Sequence, residues 1–197
     1  MVEERRNPQL LAGGSSPAAV PVMSDSGGGD SWSQVHATFA NSRTLGAAGN
    51  GLDAMRRALH GDEISLSKLV ASGGERWMAV IAFGGSPATE WWPLSEHPTV
   101  REVIESGIPR QIADTDPTAH PGELEVLSAG GYRSLLLLPI EFEGVELGLV
   151  EVYSHRPQRW SVADVAHARA ASNQLASLLM MPSARRQETT AAVLQQL

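Results

Sequence analysis

Gly131-Tyr-Arg-Ser-Leu-Leu-Leu-Leu-Pro-Ile-Glu-Phe-Glu-Gly-Val-Glu-Leu-Gly-Leu-Val-Glu-Val-Tyr-Ser154 is the stretch that decides the fold. Tyr132 to Phe142 and Val145 to Ser154 are two largely apolar arms across Glu143-Gly144, which reads as a β-hairpin. Leu135 to Leu138 has no polar face, so the first arm reads as a central strand covered on both sides. Downstream, Ser161 with Asp164 three residues on approaches a capping-box pattern. Val165, Ala168, Ala171, Leu175 and Leu178 then mark the buried face of a closing helix, which Pro182 ends.

Upstream of the hairpin, Gly122 to Ala129 reads as a short helix ended by Gly130-Gly131, and Asp114 to Pro121 as a polar turn. Pro109 to Ala113 is a short strand. Pro98 suits the first turn of a helix, Gly107 the residue past its end, and Val100, Val103 and Ile104 its apolar stripe. Residues 84–97, with Trp91 and Trp92 among Gly and Pro, read as an irregular loop. Arg76 to Phe83 is apolar on both faces, and Glu63 to Val70 alternates as a strand with one drier face, the two joined by a turn at Ser72-Gly73-Gly74. Leu52, Met55 and Leu59 mark a short helix after a break at Gly49-Asn50-Gly51, and Ser33 to Gly46 carries a weaker helical signal. Residues 1–32, rich in Pro, Gly and Ser, read as a disordered leader. The domain therefore spans 33–181, and 182–197 is a tail able to extend as a helix. The element order, α–α–β–β–α–β–α–β–β–α, predicts one α+β domain around an antiparallel sheet.

Composition narrows the function. The 197 residues are 42% hydrophobic and 19% charged, an ordinary globular balance, with no cysteine. Disulfides, Cys-based zinc sites and thiol nucleophiles are therefore excluded. The net charge of −7 and the absence of a basic cluster argue against nucleic-acid binding. No stretch approaches the roughly 20 apolar residues of a membrane span, and no signal peptide is evident, so a cytoplasmic location is expected. Lys68 is the only lysine, an Arg-biased usage common in GC-rich genomes, and a bacterial source is expected. No Gly-Lys-Ser/Thr loop, His-Glu-x-x-His or Gly-x-Ser-x-Gly stretch exists, so no catalytic residue is assigned and an enzyme is not expected.

The segment from Leu94 to Leu179 resembles a GAF domain. His97-Pro98 opens a helix ending Val103-Ile104-Glu105-Ser106-Gly107, the strand Pro109 to Asp114 follows, and Gly131-Tyr132-Arg133-Ser134 leads into Leu135 to Ile140. Gly144 and Gly148-Leu149-Val150-Glu151-Val152 match the recurring hairpin, and Trp160-Ser161 to Asp164 opens the last helix, with Trp160 where the family usually has phenylalanine. Leu52 to Phe83 fits less specifically. The resemblance implies a GAF/PAS-like fold: a central five- or six-stranded antiparallel sheet with the N- and C-terminal helices on one face, often forming dimer contacts. On the other face, segments near 84–97 and 114–133 would close a ligand pocket. It also implies a sensor or regulatory module that binds a small molecule and signals through its end helices to a partner protein.

Within that family, covalent bilin attachment and sulfoxide reduction both use cysteine, which this chain lacks. The cyclic-nucleotide branch carries a dispersed Asn-Lys-Phe-Asp-Glu signature, whereas Lys68 follows Leu66-Ser67. Haem needs an axial ligand, and of six histidines only His120 lies in the expected lid. No cofactor is named by these residues. The candidate ligand-binding residues are Trp77, Trp91, Trp92, Asp114, Asp116, His120, Arg133 and Ser134: aromatic walls with a few polar groups to orient a ligand. Arg133 suits an anionic group through its planar fork. Competing readings are core packing for Trp77, a plug or partner contact for Trp91 and Trp92, an ion pair of Arg133 with Asp114 or Asp116, and a structural role for Glu151. Asp114, Asp116 and His120 read as a solvated turn, so no metal site is assigned. Two other functions remain open: a ligand-free dimerisation or scaffold domain, and the sensory part of a longer signalling enzyme such as a cyclic-di-nucleotide synthase or histidine kinase.

Overall fold

The computed structural model describes residues 28–83, 86–88 and 90–180. The tail expected at 182–197 and residues 1–27 of the expected leader lie outside them. In chain order the elements are α1 (Gly28–Asn41), α2 (Leu45–Ala58), β1 (Glu63–Ser72), β2 (Glu75–Phe83), β3 (Ser86–Pro87) and β4 (Trp91–Pro93). A 3-10 turn (Leu94–Glu96), α3 (Pro98–Ser106), β5 (Arg110–Ala113) and α4 (Pro121–Gly130) follow. The chain then forms β6 (Ser134–Phe142), β7 (Val145–Ser154), α5 (Val162–Gln174) and α6 (Ala176–Met180). The strands make one antiparallel sheet in the order β3-β2-β1-β7-β6-β5, with β4 also beside β2. The expected α+β, GAF/PAS-like architecture is therefore present. The seventh strand arises because β3 and β4 share one flank of β2, within the stretch read as an irregular loop.

The hairpin turn has φ of 50° at Glu143 and 77° at Gly144, the doubly positive geometry whose twist matches that of the flanking strands. From it the central pair runs with Leu135 opposite Tyr153, Leu136 opposite Val152 and Leu137 opposite Glu151. Successive side chains then divide between two cores. Leu136, Leu138, Ile140, Val150 and Val152, with Ile64 and Leu66 of β1, meet the end helices through residues such as Val35, Phe39, Met55, Ala171 and Leu175. Leu135, Leu137, Leu149 and Tyr153 face the opposite way and pack with Met78, Val103, Ile112 and Leu127 beneath α3 and α4. Leu136, Leu137 and Leu138 are fully buried, each worth about 1.5–3 kcal/mol of transfer free energy.

Two helix boundaries differ from the sequence reading. Helix α1 begins at Gly28, inside the stretch read as leader, and Trp32 is buried in the end-helix core. Helix α2 runs unbroken through Gly49-Asn50-Gly51, where a break was expected. A Cβ on Gly51 would lie 2.5 Å from the Phe39 ring, so the glycine serves close α1–α2 packing rather than a turn. At the other end, Ser161 and Asp164 form a full capping box for α5. Trp160 fixes the entry to this helix: its indole Nε1 donates to the Leu59 carbonyl at 2.8 Å, and its backbone N donates to Gln111 Oε1 at 2.9 Å.

β1 and β7 approach most closely at Gly148, where a Cβ would fall 2.1 Å from the Ser67 carbonyl oxygen. Backbone cannot yield there as a flexible side chain would. Gly148→Ala is therefore expected to destabilise the domain by about 2–3 kcal/mol. A lower urea midpoint at unchanged slope would show this.

Candidate functional site

The face of the sheet beneath α3 and α4 is apolar except for a row of polar side chains at its centre. On β1, Ser65 and Ser67 alternate with Ile64 and Leu66, whose side chains join the end-helix core, so the serines face the other way. Their β7 counterparts on the same face are Glu151 and Leu149. Ser65 Oγ donates to Glu151 Oε2 at 2.6 Å, and the Tyr153 hydroxyl also bonds Glu151. Burial pushes the Glu151 carboxyl up, while the two hydroxyl bonds oppose that shift. Burial, together with the Glu151 charge, pushes the Tyr153 phenol well above its ordinary value. Ser67 is fully buried, and its Oγ has no hydrogen-bond partner.

Two helix N-termini form the rim. His97 precedes Pro98 of α3, and His120 precedes Pro121 of α4. His120 Nδ1 accepts from the Gly122 N–H at 3.2 Å, capping α4. Glu123 lies one helical turn before Leu127, on the same buried face, and is 3% exposed. Neither of its carboxylate oxygens is hydrogen-bonded, and His120 Nδ1 is 3.5 Å from Oε2. The His97 ring centroid is 4.3 Å from that of Trp92. Burial lowers the His97 pKa, opposed by the charges of Glu123 and Glu96.

Of the residues singled out in the sequence, Trp92 and His120 meet at this rim: Trp92 packs against the core under α3 and α4, and His120 beside Glu123. Trp77 precedes Met78 in β2, and Trp91 is the cross-strand partner of Ala79, so both lie on the opposite face from Met78 and Trp92. Arg133 is paired with Asp114, in one of the competing readings. Asp116 accepts from the backbone N–H and hydroxyl of Thr118, closing its turn. Ser134 shares the parity of Leu136, is 1% exposed, and is bonded to the Arg156 carbonyl and the Gln158 N–H. It fastens the connection from β7 to α5. The sequence alone does not single out Ser65, Ser67, Tyr153, Glu123 or His97, and it gives Glu151 a structural role. Serines at alternate positions of an otherwise dry strand, and an acid four residues before a core leucine, were the available signals.

Among the described residues, no group of three or more His, Asp or Glu side chains is arranged to hold a metal ion, and no helix is long and apolar enough to cross a membrane. The raised Glu151 pKa has a definite consequence. Its favourable contribution to stability is present below the ordinary carboxyl value of 4.5 and is lost as pH rises through the folded-state value. Glu151→Gln should flatten that part of the stability profile, measured by urea unfolding across the acid-to-neutral range.

The family model for the GAF domain matches residues 47–179. Among solved structures, the phycoerythrobilin-bound GAF domain from a cyanobacterial phytochrome superposes with a TM-score of 0.62 at 16% identity, covering 79% of this chain and 96% of that one. The GAF domain of a two-component sensor histidine kinase from Bacillus halodurans gives 0.56 at 19%, covering 70% and 95%. The chromophore-binding domain of a bacteriophytochrome from R. palustris gives 0.59 at 18%, covering 76% and 61%. No curated protein sequence matches. With its family match covering well over half of the sequence, from α2 to α6, the chain belongs to the GAF domain family.

Proposed function

We propose that this domain is a sensor that binds a small ligand non-covalently between the sheet and helices α3 and α4, and signals through its end helices to a partner protein. The observation that carries this reading is the polar row Ser65, Ser67, Glu151 and Tyr153 at the centre of an otherwise apolar core, with Ser67 Oγ buried and unbonded. Polar groups in such a place cost stability unless something pairs with them. A few polar groups set in apolar walls also make a binding floor. In the proposal the domain acts in the cytoplasm as a homodimer, away from nucleic acid and membrane. Asp114 with Arg133, at the end of the α4 connection, is the place where a ligand could exchange an ion pair.

β1 supplies a route for the signal. Ser65 and Ser67 face the proposed ligand, while the adjacent Lys68 reaches the end helices, its Nζ donating to the Leu179 carbonyl at 2.8 Å. A lysine on the last carbonyls of a helix is favourable for both the hydrogen bond and the helix dipole. A ligand that binds two settings of β1 unequally would shift α6 with it. A second reading, that the domain is the sensory part of a longer signalling enzyme, is favoured by the likeness to the sensor histidine kinase domain.

Native mass spectrometry of the protein purified from its own cells tests the proposal. A bound small molecule on a dimer is expected. An empty protein, together with flat thermal shifts against nucleotide, haem and aromatic panels, would overturn it. Lys68→Met is expected to leave the fold intact but loosen α6 by about 1 kcal/mol, roughly a five- to tenfold faster amide exchange at Leu178 and Leu179.

A further inference from the structure

Among the described residues, two buried carboxylates lie on the α3–α4 side of the sheet, and they are treated differently. Glu151 receives the hydroxyls of Ser65 and Tyr153. Glu123, 3% exposed, receives nothing: both of its oxygens are without hydrogen bonds. Its ion-pairing neighbour, His120 Nδ1, is 3.5 Å from Oε2 and already accepts from the Gly122 N–H. In that arrangement it has no proton to offer the carboxylate. A buried carboxylate lacking donors is costly, and in a native structure it calls for an explanation.

The surroundings define what would complete it. Leu127 shares its helix face, and Leu124 packs against the same core. Across the rim stand the Trp92 and His97 rings, with His97 held toward its neutral form by burial. The N-termini of α3 and α4 would ordinarily favour an anion. Here the first turn of α4 carries Glu123 itself, and Glu96 lies close enough to act on His97, so an anion would meet negative charge.

We propose that Glu123 anchors a small organic ligand bearing a cationic nitrogen group of the amidinium or guanidinium kind on an apolar or aromatic body. Two parallel N–H bonds fill the two empty carboxylate oxygens. The Trp92 ring offers a face for the cation or the aromatic body. This inference rests on the reading of this face as a ligand site and adds the ligand's chemical class.

The test titrates the full chain with benzamidine, with its neutral counterpart benzamide and with benzoate, following the Trp92 indole and Glu123 amide signals by NMR. Benzamidine should bind saturably and at least tenfold more tightly than benzamide, and benzoate should not bind. Glu123→Gln should abolish the tenfold preference, and Glu123→Asp should keep part of it. Glu123→Leu, which removes the unmatched charge, should raise the melting temperature of the ligand-free protein by roughly 2–4 °C. Equal binding of benzamidine and benzamide, binding of benzoate, no saturable shift with benzamidine, or a lower melting temperature for Glu123→Leu would each overturn the proposal. The two readings fail separately. A molecule without a cationic nitrogen, recovered from the native protein and shifting the Trp92 signal, would overturn the cationic class and leave the ligand site standing.

Discussion

The structure depends on one constraint: in the central pair β6–β7, neighbouring side chains must point to opposite sides of a sheet that is covered on both. Leu136 and Leu138 are thereby given to the end helices, and Leu135 and Leu137 to the core under α3 and α4. Every other strand is placed relative to that division. β1 joins β7 where Gly148 lets the backbones meet, β2 follows β1, and β5 closes the far side against β6. The polar row of Ser65, Ser67, Glu151 and Tyr153 is buried only because it falls on the interior of this arrangement.

The two faces differ in how completely their polar groups are paired. Toward the end helices, Trp160, Gln111 and Ser134 each use their hydrogen-bonding atoms to join separate elements. Asp62 does the same between β1 and β7, accepting from Ser154 Oγ and the His155 N–H, which hold its carboxyl below the ordinary range. Among the described residues, Ser67, Glu123 and Gln174 hold buried side-chain atoms without hydrogen bonds, and the first two lie on the α3–α4 side. Gln174 at least uses its amide nitrogen on His36. Natural folds seldom leave charged groups unmatched where only stability is at stake, and the exceptions gather where something else is meant to bind.

What was legible in the sequence was what local chemistry determines. The hairpin follows from two apolar arms and Glu143-Gly144, the α5 cap from Ser161 and Asp164, and the end of α3 from Gly107. The pairing of Arg133 with Asp114 was within reach as well, since oppositely charged groups sit at adjoining element ends. The rest depends on long-range packing. Gly49 to Gly51 continue a helix because Phe39 presses on it, and β3 and β4 gain their strand character only from β2. The site was less visible than the fold. Trp77, Trp91 and Ser134 have suitable chemistry but lie on the other face from the polar row, and parity is known only once the register is fixed. Glu123 reads as an ordinary first-turn acid until burial removes its water.

The leucine run has a cost of its own during folding. In most half-exposed strands, a slip of one residue turns apolar side chains toward water and is rejected at once. Leu135 to Leu138 offers no such penalty: a chain displaced by one or two places still lays leucine on leucine. The alignment must therefore come from the ends of β6, from the tight turn at Glu143-Gly144 and from Ser134, whose hydroxyl meets Arg156 and Gln158 only in the native frame.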